Sequence, residues 1–285
     1  MSAMPGTMIT VAPTGAETAK SDVPQLPTTL DELVAEAKAC EAAGASLIHV
    51  HIRDDEHQPT LDPQRLRDTV QALREQTDLV VQLSTGGSVH DPLESRLNVL
   101  DAEPDSCSLT CGTTNFGDDV FLNPYPFMGQ LYQQAQEREV VPEFELFDLG
   151  HVAALRRLID TYGLPYGGKV HVDFVTGVPG GMPGTVEALV AGVQMLPAEV
   201  TSWSATGIGR THLPIAAAAL AMGGHLRVGM EDNLVFAKGR PVRDNAELVE
   251  RAAHLATVMQ RPPLSTDEAR SLLAVRDRRA PSQSS

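Results

Sequence analysis

The chain has 285 residues, 42% of them hydrophobic, and a formal net charge of −15 at pH 7. This length suits one large barrel or two small domains, and no Pro/Ser/Gly-rich linker divides it, so we expect a single domain over 1–285. The negative charge argues against nucleic acid or an anionic membrane surface as a partner, because both attract basic proteins.

The few cysteines and the lack of a targeting pattern indicate the compartment. Three cysteines are too few, and odd in number, for a disulfide framework. The first thirty residues show no basic segment followed by an apolar one, and the most apolar later stretch, 213–222, is too short to cross a bilayer. We therefore expect a soluble, cytoplasmic protein.

Apolar runs and helical patterns alternate along the chain. Strand-like runs lie at 8–12, 46–52, 79–83, 106–111, 140–147, 170–175, 200–204 and 226–230. Helix-like runs lie at 30–43, 92–100, 152–161, 186–195, 214–222 and 246–260. The first helix is predicted to begin at a capping box within TTLDE at 28–32 and to end at Gly44.

Eight strand-then-helix units at spacings of roughly 25 to 45 residues are typical of a parallel sheet with right-handed crossovers. Eight units in a chain of this length favour a (β/α)8 TIM barrel over an open sheet. After the Pro-Pro pair at 262–263 we expect one short helix, 266–275, and a polar tail, about 276–285, that is frayed.

The second strand carries two candidate metal ligands. His49 and His51 alternate with apolar residues, so both side chains point to the same face of a strand. A lone His-x-His pair is more often packed or hydrogen-bonded than metal-bound. However, barrel active sites lie at the C-terminal strand ends, and strands 2 and 8 both flank strand 1. Glu231, at the end of strand 8, can therefore complete a His2Glu zinc site with open positions.

Two further segments could bind anionic groups. Ser84, Thr85 and Gly87 belong to a turn after strand 3 whose hydroxyls and backbone N–H groups suit a carboxylate or phosphate. Arg210 follows strand 7 just ahead of a helix, a common place for a phosphate site in a barrel. A solvated loop arginine is the alternative for Arg210.

Seven segments in chain order resemble the β-keto acid cleavage enzyme family, over about 8–275. They are TGAET at 14–18, HVHIR at 49–53, QLSTGG at 82–87, GTTNFGDD at 112–119, GVPGG at 177–181, GIGR at 207–210 and GMEDN at 229–233. The resemblance implies a zinc-dependent barrel acyltransferase that condenses a β-keto acid with acetyl-CoA, giving acetoacetate and a new acyl-CoA. It also implies a homo-oligomer, a tetramer, that acts in lysine fermentation.

The resemblance also assigns roles to residues. It implies that His49, His51 and Glu231 are the zinc ligands and that Asp232 and Arg227 are the catalytic pair. Together with the strand-end positions, it marks as substrate-binding residues Glu17, Ser84, Thr85, Gly87, Thr113, Asn115 and Glu145, with Arg210 as the contact for CoA. The chemistry agrees, because a metal can activate a keto oxygen and Asp232, beside a ligand, can act as a base that Arg227 holds ionised.

The resemblance further implies that the substrate is 3-keto-5-aminohexanoate or a similar amino-bearing acid and that Glu17 meets its amino group. Glu17 ends strand 1, and Glu145 on strand 5 can face the same cavity, although Glu143 shares its parity. An unpaired carboxylate is costly to desolvate against an apolar tail and favourable against an ammonium.

Two other functions stay open. A metal-dependent hydrolase of the amidohydrolase kind also uses His-x-His in a barrel, but on the first strand and with later His and Lys ligands that this sequence does not show. A non-catalytic barrel that binds a metal or small acid would need no base such as Asp232.

Overall fold

Eight parallel strands close into a barrel in the computed structural model, which describes residues 6–279. The strands are β1 (Ile9–Val11), β2 (Leu47–Val50), β3 (Val80–Leu83), β4 (Ser106–Thr110), β5 (Val141–Leu146), β6 (Val170–Thr176), β7 (Val200–Gly207) and β8 (His225–Val228). Around the barrel they follow the order β1, β8, β7, β6, β5, β4, β3 and β2, which pairs with β1 again. The predicted (β/α)8 fold is confirmed, and every predicted strand segment overlaps one barrel strand.

Nine α-helices occur within residues 6–279. They are α1 (Leu30–Ala43), α2 (Pro63–Gln76), α3 (Leu93–Leu97), α4 (Tyr125–Glu137), α5 (Leu149–Tyr162), α6 (Val186–Met195), α7 (His212–Ala221), α8 (Asn245–Val258) and α9 (Thr266–Leu273). The predicted helix 92–100 is the short α3 followed by a 3-10 helix, Asn98–Ala102. The sequence patterns did not predict α2 and α4, both of which have proline in the first helical turn. Proline is a loop signal in most positions, but at a helix start its fixed φ fits and its missing N–H leaves no bond unmade.

Helix α1 has well-defined ends, and these set where the histidine strand begins. The Thr29 hydroxyl accepts from the Glu32 N–H, and the Glu32 carboxylate accepts from the Thr29 N–H, which completes the predicted capping box. Gly44 ends the helix with a left-handed φ of 111°, a conformation that glycine adopts without steric cost. Strand β2 follows directly, with Ile48 and Val50 against the helices and His49 on the opposite, inward face.

The barrel interior changes character along its axis. At the N-terminal end, four apolar residues at or just before the start of a strand pack on α9, which closes that end: Met8, Leu47, Val80 and Val141. Polar inward residues occupy the levels above them. The main hydrophobic core lies outside the strands, between the barrel and its helices, as in other barrels of this class.

Three antiparallel hairpins extend the loops after β2, β4 and β8. They pair Ile52–Arg53 with Pro59–Thr60, Thr114–Phe116 with Asp119–Phe121, and Val235–Ala237 with Arg240–Pro241. All three lie at the C-terminal end of the barrel, because each follows the C-terminus of a barrel strand. They were not predicted from the sequence.

The predicted C-terminal helix is α9, and the chain beyond it runs over the surface. Arg276 pairs with Glu139, and Arg279 pairs with Asp78 and Asp267. The rest of the predicted frayed tail, 280–285, lies outside the described residues, and the single-domain division of the whole chain stays a prediction. Within 6–279, no helix combines the length and the apolar composition needed to cross a membrane.

Candidate active site

Two histidines of the second strand face a glutamate that follows the eighth. The Nε2 atoms of His49 and His51 lie 3.8 Å and 3.6 Å from Glu231 Oε1. One potential ligand atom from each residue lies within 4.8 Å of the others. His49 is buried, whereas His51 and Glu231 keep a small exposed fraction, so the open side of the trio faces solvent. Two imidazole nitrogens and a carboxylate at this spacing fit a divalent metal with open positions.

Two glycines allow Glu231 to reach the histidines. Gly229 has a φ of 153°, and a Cβ there would lie 1.9 Å from the Ala12 carbonyl oxygen. Gly15 has a φ of 65°, and a Cβ there would lie 2.7 Å from Glu231 Cγ. The chain after β8 therefore crosses the end of β1 at a distance that only glycine permits. This crossing brings Glu231 over β1 toward β2.

Arg227 binds three carboxylates at the bottom of the site. Its Nε and Nη2 each donate to Asp232 at 3.0 Å, Nη2 also donates to Glu231 at 2.5 Å, and Nη1 donates to Glu145 at 3.2 Å. All four side chains are buried or nearly so. The planar, five-donor guanidinium suits such a cluster better than a lysine ammonium would. The structure thus brings together the two residues that the sequence analysis pairs as catalytic, Asp232 and Arg227.

Burial and neighbouring charges set the protonation states. Burial raises the pKa of the Asp232 carboxyl to about 7, even though Arg227 opposes the shift, and burial likewise raises the pKa of Glu145 to about 7. Burial would also raise the pKa of Glu231, but Arg227 and the two histidines lower it to about 2. Burial lowers the pKa of His49 to about 4 and lowers that of His51.

These shifts divide the site into two kinds of group. The histidines stay neutral and Glu231 stays ionised near pH 7, which are the forms that bind metal. Asp232 titrates near neutrality, which is the property of an effective general acid or base.

A cavity of about 230 Å³ opens beside these residues at the C-terminal end of the barrel. Part of its lining is polar, and the rest is an apolar wall that was not predicted. Phe116, Phe121 and Phe147 contact one another there, with ring centroids 6.1 to 6.3 Å apart. Val175 and Val178 pack on this aromatic wall. The cavity therefore suits a small molecule with both polar and apolar parts.

Four of the predicted substrate-binding residues line the cavity: Glu17, Ser84, Gly87 and Glu145. Glu17 is exposed at its edge, whereas Glu145 is buried at its floor, where it also accepts from Thr110 at 2.7 Å. Glu143 has the same strand parity but lies deeper and faces His171 at 3.3 Å. Glu145, rather than Glu143, is thus the strand-5 carboxylate that reaches the cavity.

The other four predicted binding residues lie outside the lining of this cavity, and their binding roles stay predictions: Thr85, Thr113, Asn115 and Arg210. The Thr85 hydroxyl donates to the Ser108 carbonyl at 2.6 Å, and the Thr113 hydroxyl accepts from the Asn123 N–H at 2.8 Å. Asn115 is exposed on the unpredicted hairpin after β4, and Arg210 is exposed on a 3-10 turn, Gly209–Thr211. All four residues follow the C-terminal end of a barrel strand, where the regular alternation of side chains no longer fixes their direction.

Gln82 is a site residue that the sequence analysis left out. Its Oε1 lies 2.5 Å from Nδ1 of His49, on the side of the ring away from Glu231. The sequence offers one signal for it, since a glutamine stands inside the apolar run 79–83, where a buried amide needs partners.

Comparison with known proteins identifies relatives of the whole chain. A family model described as beta-keto acid cleavage enzyme matches residues 6–275. The chain is 38% identical over 270 residues to 3-keto-5-aminohexanoate cleavage enzyme of Acetoanaerobium sticklandii. This match covers 94% of this chain and 98% of that protein. It is 34% identical over 275 residues to 3-oxoadipate:acetyl-CoA acetyltransferase of Cupriavidus necator, with 94% of each chain covered.

A solved structure shares the fold. The apo structure of ObcA superposes with a TM-score of 0.80 at 19% sequence identity, over 88% of this chain and 66% of that one. At this level of identity the likeness supports the barrel architecture alone.

Proposed function

The chain belongs to the β-keto acid cleavage enzyme family, and on that basis we propose that it condenses a β-keto acid with acetyl-CoA, releasing acetoacetate and a new acyl-CoA. One observation carries the proposal for this chain: the Asp232–Arg227 pair lies beside the donor set of His49, His51 and Glu231 in one cavity. A barrel that only bound a small acid would have no need of a buried carboxylate poised near neutrality.

We propose that zinc is the metal and that His49, His51 and Glu231 hold it. The donor set fits, because Oε2 of Glu231 is buried and has no hydrogen-bond partner among the described residues. Histidine nitrogens with one carboxylate, and positions left open, are typical of catalytic zinc sites. When bound, the ion supplies Lewis acidity toward the keto oxygen of the substrate.

The residues of the chain then handle the proton and the charge. Asp232 in its ionised form accepts a proton from the carbon between the keto and carboxylate groups of the substrate, and the hydrogen bonds from Arg227 stabilise that ionised form. The resulting carbanion attacks the acetyl carbonyl of acetyl-CoA and displaces the CoA thiolate. The thiolate adds to the former keto carbonyl, and cleavage of the adjacent carbon–carbon bond gives the new acyl-CoA and the acetoacetate carbanion. The proton held by Asp232 returns to this carbanion, which releases acetoacetate and restores the base.

Ser84 and Gly87 are the groups that we propose for the substrate carboxylate. Both line the cavity, and the Ser84 hydroxyl already accepts from the Gly86 N–H at 3.2 Å, so its own proton is free to donate. Arg210 stays our candidate for a CoA phosphate, because it is exposed and follows Ile208, which lines the cavity.

We propose an amino-bearing β-keto acid as the substrate, with Glu17 facing the amine. The relative with 38% identity is named for 3-keto-5-aminohexanoate, and the relative with 34% identity is named for 3-oxoadipate, an acid without an amine. A cytoplasmic location, a homotetrameric assembly and a role in lysine fermentation stay predictions.

Acetoacetate release tests the proposed reaction. The purified protein is incubated with acetyl-CoA and a panel of β-keto acids, and we expect acetoacetate from at least one acid, only while zinc is bound. The double variant His49→Ala/His51→Ala is expected to lose both zinc and turnover. A lack of acetoacetate with every acid would contradict the reaction, and a double variant that keeps one zinc per chain would contradict the ligand set.

A further inference from the structure

A line of hydrogen bonds runs from His49 across three neighbouring barrel strands. His49 is opposite Gln82, Gln82 is opposite Ser106, and Ser106 is opposite Val141 in the sheet register. The distances are 2.5 Å from His49 Nδ1 to Gln82 Oε1, 3.1 Å from Gln82 Nε2 to Ser106 Oγ and 2.7 Å from Ser106 Oγ to the Val141 carbonyl oxygen. We call these four residues the Gln82 belt.

The end of the belt fixes the direction of every bond in it. The Val141 carbonyl can only accept, so the Ser106 hydroxyl donates its single proton there. Ser106 Oγ must then accept from the Gln82 amide nitrogen, which turns Gln82 Oε1 toward His49. An amide oxygen can only accept, so His49 carries its proton on Nδ1. In a neutral imidazole this leaves Nε2 unprotonated, with a lone pair that can bind a metal. Nε2 is the atom that faces Glu231.

Burial supports the assignment of the His49 proton to Nδ1, because bulk water is not available to replace these partners. The exposed fractions are 1% for His49, 0% for Gln82 and 1% for Ser106, so bulk water does not reach the belt. The ring of His51 has no comparable support, since no hydrogen bond joins its other nitrogen to any residue in the described part of the chain. The two histidines therefore differ, because only His49 has its tautomer set by the protein.

We propose that Gln82 is a positioning residue, which fixes His49 in the tautomer and ring orientation that let Nε2 bind a metal. The proposal rests on the proposed metal site. An amide in this place orients the ring without adding a charge to a buried site that already holds several carboxylates. Mutation of a residue that hydrogen-bonds to a metal ligand usually lowers metal affinity about 10- to 100-fold.

Zinc affinity tests the belt at two points. The dissociation constant is measured by chelator competition for wild type, Gln82→Met, Ser106→Ala and the control Thr10→Val, whose buried hydroxyl has no hydrogen-bond partner among residues 6–279. We expect zinc to bind about 10- to 100-fold more weakly to Gln82→Met. We expect a smaller loss for Ser106→Ala, which is remote from the metal, and no change for Thr10→Val. Wild-type affinity in Gln82→Met would overturn the proposal.

A second measurement needs neither metal nor turnover. The metal-free protein is labelled with ¹⁵N-histidine, and its ring tautomers are determined by long-range proton–nitrogen NMR, with His49→Asn used to assign the signals. Wild type is expected to show Nδ1 protonated at His49, and Ser106→Ala a mixture of tautomers. A wild-type His49 with its proton on Nε2 would refute the belt even if zinc binds. If instead the tautomer is as expected and zinc does not bind, the metal site fails and the belt stands.

Discussion

Arg227 controls the charge of the candidate site, because one guanidinium binds three carboxylates. A buried carboxylate is expensive to leave unpaired, and three of them within one site repel one another. The Arg227 contacts hold Glu231 in its ionised form, whereas Asp232 and Glu145 titrate near neutrality. Arg227 therefore positions both the proposed metal ligand, Glu231, and the proposed base, Asp232. A change at Glu231 should affect metal binding, and a change at Asp232 should affect proton transfer.

Asp232→Asn separates these two roles. Asparagine has the shape of aspartate and can still accept from Arg227, but it cannot take a proton from the substrate. We expect zinc content and KM to stay near wild type while kcat falls about 10²-fold or more. The measurements are metal analysis and steady-state kinetics.

The matched control for Asp232→Asn is Asp148→Asn. Asp148 caps the N-terminus of α5 through the Gly150 N–H, and asparagine caps a helix equally well. The control should therefore keep the wild-type kcat. A kcat near wild type in Asp232→Asn would rule out the base.

His225 gives a pH dependence of stability that is unrelated to the site. Its Nδ1 accepts from the Met8 N–H at 3.0 Å, and the ring faces His171 and Arg261. Burial lowers its pKa from 6.5 to about 3, and the nearby charge of Arg261 acts in the same direction. The unfolded chain therefore binds a proton below pH 6.5 that the folded chain does not. The stability from a neutral His225 is complete above pH 6.5 and is lost as pH falls toward 3.

Between pH 7 and pH 5 this loss amounts to about 2 kcal/mol. His225→Asn keeps an acceptor near the Nδ1 position but cannot titrate, so its free energy of unfolding should fall by about 2 kcal/mol less over the same interval. Urea unfolding at both pH values measures the difference. His254→Asn, on the exposed side of α8, should behave as wild type. An equal pH dependence in wild type and His225→Asn would show that the buried ring does not control it.

Single residues were predictable where a regular strand fixed them. His49 and His51 share a face because a strand alternates, and the structure places both beside Glu231. The positions of Thr113 and Asn115 relative to the cavity were not predictable, because they lie in a loop and hairpin whose path depends on contacts far away in sequence. One such contact is the bond from the Gly117 N–H to the Pro179 carbonyl. No local pattern encodes a contact of that kind.

At the scale of elements, the short helix α3 joins two walls of the cavity through Arg96. The guanidinium donates to the Thr85 carbonyl at 2.7 Å, the Leu122 carbonyl at 2.7 Å and Asn123 Oδ1 at 2.5 Å. It also lies 4.8 Å from the ring centroid of Phe121. The turn that carries Ser84 and the hairpin that carries Phe116 and Phe121 are thus held by one side chain. The helix was predicted, but this clamp was not, since its acceptors are loop carbonyls.

Arg96→Met should weaken both the fold and the substrate site. Methionine fills part of the space but leaves buried acceptors unpaired, so we expect the free energy of unfolding to fall by about 2 kcal/mol or more. KM should rise because Phe121 lines the cavity, while zinc content stays the same. Denaturant unfolding and kinetics measure the two effects.

Arg157→Met is the control for the Arg96 clamp. Arg157 also stacks on an aromatic ring, that of Tyr125, but it is exposed and distant from the cavity. A surface change of this kind usually alters stability by less than about 0.5 kcal/mol. If Arg96→Met had no more effect than Arg157→Met, the clamp would be unimportant.

At the scale of the whole molecule, the two ends of the barrel differ: one is closed by apolar packing and the other holds the candidate site. The N-terminal end is closed by apolar packing against α9, and Arg270 of that helix pairs with Asp105. The C-terminal end holds the cavity and the carboxylate cluster around Arg227. This division follows from the fold class, so the barrel pattern alone located the site at the strand ends. The apolar wall was not foreseeable, because the C-terminal ends of four different strands and the loops after them build it: Phe116, Phe121, Phe147, Val175, Val178 and Ile208.

Substrate choice belongs to this scale, since it depends on which groups meet across the cavity. With Glu145 held by Arg227 at the floor, Glu17 at the edge is the carboxylate best placed to face a distal ammonium. An acid without the amine would bring an apolar tail against that carboxylate and desolvate it without compensation. A hydrogen bond to a charged group contributes about 1.5–3 kcal/mol, so the wild-type enzyme should prefer an amino-bearing acid by about 10- to 100-fold in kcat/KM.

The test compares an amino-bearing and a neutral β-keto acid of equal length in wild type, Glu17→Gln and Glu250→Gln. Glu250 is an exposed carboxylate on α8 that does not line the cavity, so its loss controls for net charge. The preference should shrink in Glu17→Gln and persist in Glu250→Gln, because only the first removes the partner of the ammonium. Equal use of both acids by the wild-type enzyme would exclude an amine-selective site. In that case the aromatic wall, rather than Glu17, would have to account for which acid the cavity accepts.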